Sequence, residues 1–145
     1  MLPENHPLIN KYIQSNLFGQ HLGMDFKIIS PGHIEYRLNI NTQHLATPKA
    51  AHGGVISALV DGALGVAGLS AVCGQNKVVS TVEYKLNFMA PAFLNDELLA
   101  IGKVEQLGKR LIIVSCEVIC TNRNNQVISK ALGTFNAYDA EKAGY

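Results

Sequence analysis

The chain has 145 residues, enough for one domain with a real core. It is 48% hydrophobic and 16% charged, with a formal net charge of +1 and no run of like charges longer than Lys109-Arg110. That balance is ordinary for a compact globular protein and lacks the basic stripe of a nucleic-acid surface.

The opening residues, MLPENHPLINKYIQ, show no basic region followed by an apolar block, so no export signal is expected and the reading is a cytoplasmic protein. Pro7 suits the first position of a helix, and Leu8, Ile9, Tyr12, Ile13 and Leu17 then share one face, with Gly19 as the expected stop. Residues 24–30 (MDFKIIS) read as a strand, Pro31-Gly32 as a turn, and Ile34, Tyr36, Leu38 and Ile40 alternate in a second strand.

A polar loop, Asn41 to Ala51, leads into AHGGVISALVDGALGVAGLSAVCG, the most apolar segment of the chain. It is long enough to span a membrane. Its central Asp61, six glycines and lack of flanking basic clusters point instead to a buried helix over 53–73. Gly74 is the expected position for a positive backbone angle at its end.

The period then changes from helical to alternating. In VVSTVEYKLNFMAP, Val82, Tyr84, Leu86 and Phe88 fall on one strand face and Thr81, Glu83, Lys85 and Asn87 on the other, with Asn95-Asp96 in the following turn. ELLAIGKVEQL, RLIIVSCEVICTN and QVISKALGTFNAY read as three more strands, joined by turns at Gly108 and Asn124-Asn125. Cys116 and Cys120 share a packed face, and with Cys73 they make an odd number of thiols, so no disulfide framework is expected. The five histidines show no metal-ligand spacing, and no metal or cofactor is expected. About six strands and one long apolar helix within a single domain, 1–145, imply an α+β fold: a curled antiparallel sheet wrapped around the helix, with a short N-terminal helix in 1–19.

At about 100° per residue, Gly54, Ala58, Asp61, Gly65 and Gly68 occupy one arc of that helix, so Asp61 stands in its side-chain-poor stripe. Such a stripe admits a second helix or a thin ligand such as an acyl chain or pantetheine arm. Apolar surroundings raise a carboxyl pKa and nearby donors lower it, which leaves both a general base and a nucleophile open. His52-Gly53-Gly54 lies where the loop becomes the helix, where unpartnered N–H groups and the helix dipole favour negative charge. That is the specification of an oxyanion hole for acyl transfer. Gly53 and Asp61 are about 12 Å apart along the axis, so a second, antiparallel copy of the helix is expected to bring one chain's Asp61 to the other's Gly53.

HGGVISALVDGALG, the strand STVEYKLNFMAP and the turn LGKR together resemble the hotdog-fold acyl-CoA thioesterases of the phenylacetate-degradation (PaaI) type, over roughly residues 20–138. The resemblance implies a hotdog homodimer, often a tetramer, that hydrolyses a thioester to a free acid and coenzyme A, which enters as part of the substrate. It implies Asp61 as base or nucleophile, Gly53 supported by Gly54 as the carbonyl-polarising donor, and His52 as the histidine shaping the helix entrance. It places Thr81 near the attacking water, and Phe88, Met89, Ala90, Pro91, Gln106, Leu107, Gly108, Lys109 and Arg110 against coenzyme A. One departure stands out. Many relatives carry Asn or Gln six residues before the histidine; here that residue is Ala46, with His44 and Gln43 as the neighbouring polar candidates. An acyl-CoA-binding protein without turnover is therefore the alternative reading. A hydroxyacyl-thioester dehydratase ranks last, because His52 and Asp61 lie about 180° apart on the helix.

Overall fold

Alternation of apolar and polar residues is what builds the sheet, and β5 shows it most cleanly. In this computed structural model, which describes residues 3–145, Ile112, Val114, Cys116, Val118 and Cys120 of β5 (Leu111–Cys120) are all buried, and the residues between them are not. The same rule buries Ile34, Tyr36, Leu38 and Ile40 in and just after β2 (His33–Asn39). With β1 (Asp25–Ser30), β3 (Lys77–Phe88), β4 (Glu97–Leu107) and β6 (Gln126–Asp139), these strands form one antiparallel sheet in the order β1-β2-β4-β5-β6-β3.

The long apolar segment is the helix α3 (Gly53–Val72), which at about 1.5 Å per residue spans roughly 30 Å. Leu59, Val60, Ala63, Leu64 and Ala67 are fully buried against the sheet. The helix is long and apolar enough to cross a membrane, yet most of it is buried inside this chain. Close approach is set by Gly102 of β4: a Cβ there would lie 2.6 Å from the carbonyl oxygen of Ala63.

Four local expectations need correction. Gly19 does not end the N-terminal helix. α1 (Pro7–Ser15) is interrupted at Asn16, whose side chain accepts from the Gly19 N–H at 3.2 Å and starts α2 (Leu17–Leu22); Gly23, at φ 82°, is the stop. A Cβ at Gly19 would collide with the Asn16 carboxamide, so this glycine serves the cap. After α3, the positive angle falls on Asn76 (φ 55°), not Gly74, because a 3-10 turn, Cys73–Gln75, carries the chain further before it reverses. Most consequentially, β3 does not alternate throughout. Thr81 pairs with Phe135 and Glu83 with Thr134, so Val82 is an unpaired bulge and is 57% exposed. The bulge shifts the parity of the strand, so that both Thr81 and Tyr84 face α3 instead of opposite sides. Finally, α3 is not wrapped all round: Gly53 and Gly54 are exposed, and Ser57, Ala58, Asp61 and Gly65 are half-buried.

The segment after β3 is held by a residue that no sequence motif flagged. Arg123 donates to both carboxylate oxygens of Asp96, at 2.9 and 2.6 Å, and to the carbonyl of Pro91 at 2.9 Å. Burial alone would raise the Asp96 pKa, but the Arg123 fork and the Phe93 N–H override it and hold the carboxyl below its ordinary value. That segment pairs in turn with the strip before α3, through the Ala51 N–H to the Ala92 carbonyl at 2.8 Å.

Two stability measurements check this description. Gly102→Ala should lower unfolding free energy by about 1–3 kcal/mol, because the helix must lift off the sheet; Gly74→Ala, with nothing within 4 Å of its new methyl, should leave it nearly unchanged. Arg123→Ala should cost about 3 kcal/mol by leaving Asp96 buried and unpaired. A depressed folded pKa stabilises above the unfolded value of about 3.9 and loses that contribution as pH falls through the folded value. The melting-temperature gap between wild type and Arg123→Ala should therefore be constant near neutrality and close in acid.

Candidate active site

The entrance to α3 is clamped from both sides. The His52 N–H donates to the carbonyl of His44 at 2.8 Å, next to the Ala51–Ala92 bond on the other side. His52 is the N-cap residue: its Nδ1 accepts from the Gly54 N–H at 2.7 Å and its carbonyl from the Val55 N–H at 3.0 Å. Its ring proton is therefore on Nε2. Gly54 is a glycine because a Cβ there would lie 2.9 Å from that Nδ1. The Gly54 N–H is thus already engaged, whereas the Gly53 N–H has no protein partner among the described residues. Phe88 stands over it: a Cβ on Gly53 would sit 3.5 Å from the Phe88 ring. Met89 and Pro91 are exposed beside it, and Ala90 is half-buried.

Neither polar neighbour of Ala46 fills the place of the missing amide. His44 is buried, with Nε2 donating to the Leu22 carbonyl at 2.8 Å and Nδ1 accepting from the Asn41 N–H at 3.1 Å. Gln43 reaches the carbonyl of His21 instead, at 3.4 Å. Both tie the loop to the end of α2.

Asp61 lies two turns further along α3, half-buried, and its Oδ1 accepts a hydrogen bond from Thr81 Oγ1 at 2.8 Å. The bulge at Val82 is what delivers that hydroxyl to the helix side. No cation pairs with Asp61 among the described residues, whose ion pairs are Arg37–Glu35, Arg123–Asp96 and Lys130–Glu117. The carboxylate opens into a cavity of about 350 Å³ walled by Tyr12, Gly65, Val79, Phe135, Tyr138 and Tyr145. Burial, and then the neighbouring Tyr36 and Asp61, push the Tyr12 phenol well above its ordinary pKa; burial and Asp61 raise that of Tyr84. Both remain neutral hydroxyls at any physiological pH.

The hairpin tip between β4 and β5 forms a third feature. Its Gly108 N–H closes the turn onto the Leu111 carbonyl at 3.0 Å. Lys109 and Arg110 line an open cleft of about 520 Å³ with Lys77 and Lys142, and Arg110 is aligned by a bond from Nε to Asn136 Oδ1 at 2.9 Å. Tyr138 borders both this cleft and the Asp61 cavity. Gln106 and Leu107 are exposed and lie outside the cleft, Leu107 lining a separate hollow beside Gly32.

The expected residues therefore form three groups: Gly53, His52 and Phe88 at the helix mouth, Asp61 with Thr81 two turns on, and Lys109 with Arg110 beyond Tyr138. A single chain does not bring the first two together. The tyrosines around Asp61 were invisible in the sequence. Tyr12 reads there as one more apolar contact of an amphipathic helix, and Tyr138 and Tyr145 carry no motif.

Comparison with known proteins agrees with this architecture. The sequence profile of the Thioesterase superfamily matches residues 49–125. A protein of Saccharolobus solfataricus named "Putative esterase" is 28% identical over 132 residues, covering 90% of this chain and 83% of its own length. Among solved structures, the E. coli PaaI protein of the phenylacetic acid degradation operon superposes with a TM-score of 0.78 at 19% identity, over 90% of each chain. A Streptococcus mutans protein solved bound to acetyl CoA gives a TM-score of 0.72 at 23% identity, over 80% of this chain and 89% of that one. A profile matched across more than half of the chain, on a fold shared nearly end to end, makes this protein a hotdog-fold member of the thioesterase superfamily.

Proposed function

We propose that the protein hydrolyses acyl-coenzyme A thioesters at sites shared between two subunits. The observation that carries this reading is the Thr81–Asp61 pair: a carboxylate at the mouth of a cavity walled largely by aromatic rings, with one oxygen occupied at 2.8 Å and, among the described residues, no cation beside it and no protein partner for the other oxygen. Thr81 fixes the carboxylate rotamer and leaves the free oxygen to hold a water. Asp61 takes a proton from that water as its oxygen attacks the thioester carbonyl. The oxyanion that forms accepts from the N–H of Gly53 of the partner subunit, at the positive end of that helix. Collapse of the tetrahedral intermediate breaks the C–S bond, and the proton held by Asp61 passes to the departing sulfur, giving acid and thiol.

A homodimer is proposed because about 12 Å of helix separates Gly53 from Asp61 within one chain. Two features favour it. At the start of the small-residue stripe of α3, Gly54 is exposed and Ala58 half-buried, and among the described residues β3, twelve residues long, pairs only with β6 and has a free edge. Lys109 and Arg110, with Lys77 and Lys142 around the same cleft, supply cations for the phosphates of coenzyme A. The acetyl CoA bound by the S. mutans neighbour supports that choice of carrier. Binding without turnover is the second reading, favoured by the lack of an amide at Ala46 and by the engagement of His44 and Gln43 elsewhere.

Thiol release from a panel of acyl-CoAs decides between them. Asp61→Asn should lower kcat by about 10²-fold or more with KM and melting temperature nearly unchanged. Thr81→Val should lower it by about tenfold, the worth of one hydrogen bond that orients the base. Gly53→Pro should cost about 10²–10³ in kcat, since it deletes the donor at a first helical position that proline tolerates. Full turnover by Asp61→Asn contradicts the mechanism, and thermal stabilisation by acyl-CoA with no thiol release from wild type supports the binding protein.

A further inference from the structure

The cavity beside Asp61 has walls of a definite chemistry. Aromatic rings make up much of them, Tyr12, Phe135, Tyr138 and Tyr145, while Asp61, Ser80 and Thr81 supply polar atoms. No lysine, arginine or histidine side chain lines it, and Asp61 is its one acidic side chain. The cations lie on the far side of Tyr138, in the open cleft. An apolar acyl group packs against those rings and needs no polar partner. A second carboxylate in the cavity would sit near Asp61 with no counter-charge, which low-dielectric surroundings penalise heavily.

Two residues of the cavity wall, Tyr12 and Tyr145, are held in different ways. Tyr12 is fixed on α1, its ring 6.0 Å from that of Phe26 and its hydroxyl beside Tyr36. Tyr145 is brought back over the cavity by one turn. Gly144 takes the left-handed conformation at φ 85°, and the Tyr145 N–H donates to the Ala140 carbonyl at 3.3 Å. Its ring packs half-buried against the core without being part of it. Tyr145 is therefore a wall that can be shortened without a cavity opening in the core.

Resting on the reading of Asp61 as the base, we infer that this cavity takes the acyl group, that it selects uncharged apolar acyl groups of limited length, and that Tyr145 sets the limit. The residue acts on specificity through the space it closes, not through the reacting atoms.

The test is kcat/KM for the full-length protein on straight-chain acyl-CoAs from butanoyl to palmitoyl, with glutaryl-CoA as the charged counterpart of pentanoyl-CoA. Wild type should peak at a medium chain and fall by about tenfold or more at palmitoyl, the scale on which a pocket rejects surplus methylenes. Glutaryl-CoA should be at least about tenfold poorer than pentanoyl-CoA. Tyr145→Ala should move the optimum to longer chains and raise the palmitoyl-to-hexanoyl ratio by about tenfold, while Tyr145→Phe keeps the wild-type profile. A flat wild-type profile, equal rates on the two five-carbon substrates, or an unchanged ratio in Tyr145→Ala overturns the inference while leaving the hydrolase reading intact. A uniform rise in KM for every chain length in Tyr145→Ala also overturns it, by assigning the cavity to the carrier arm. No thiol release from any substrate by wild type sinks the hydrolase reading and this one together.

Discussion

A rigid helix holds the free amide of Gly53 and the carboxylate of Asp61 about 12 Å apart, and most of the molecule makes sense as a consequence of that spacing. An acyl transfer site needs its base and its oxyanion donor on either side of one carbonyl. A single α3 presents the two groups at different levels of the same rod. The small residues between them, Gly54 and Ala58, leave the rod thin and uncovered where a second one can lie. The free edge of β3 runs alongside. An antiparallel pairing would convert a separation that disables one subunit into a coincidence that completes two sites.

The supporting structure concentrates on those two points. At the helix mouth, hydrogen bonds to the carbonyls of His44 and Ala92 fix the backbone around His52, and the His52 ring takes the Gly54 amide, while the Gly53 amide keeps no protein partner among the described residues. Arg123 anchors the segment from Pro91 to Asp96 that supplies one of those clamps. Around Asp61, the one-residue bulge at Val82 turns Thr81 inward without losing Tyr84 from the same side. A regular strand could present only one of them to the helix. The bulge costs a ladder bond and an exposed valine, and it gives the carboxylate its hydroxyl.

The strands, the central helix and the order of turns were legible because periodicity is local: the buried set in β2 and β5 follows the alternation residue by residue. The paired asparagines at 124 and 125, at φ 59° and 57°, are where turn chemistry places them. Other features escaped for stated reasons. Gly19 looked like a helix stop, but Asn16 uses the space it leaves for a second cap. Gly74 looked like a reversal, but a 3-10 turn deferred it to Asn76. The bulge breaks the period by one residue, and nothing in STVEYK marks which residue is extra. The Asp61 cavity is assembled from residues 12, 65, 79, 135, 138 and 145, a set joined only by the tertiary fold. Asp61 itself stood out because charge in an apolar helix is rare, and its partner Thr81 was reached only through family resemblance.

The most direct measurement of the shared site uses two inactive chains at once. Co-expressing differently tagged Asp61→Asn and Gly53→Pro subunits and purifying the mixed dimer gives one site that unites an intact Asp61 with an intact Gly53, and one that has neither. The account predicts that this hybrid recovers about half the wild-type turnover, although each parent homodimer is inactive. A hybrid as inactive as its parents, with its composition verified, would mean that base and donor belong to the same chain and would contradict it.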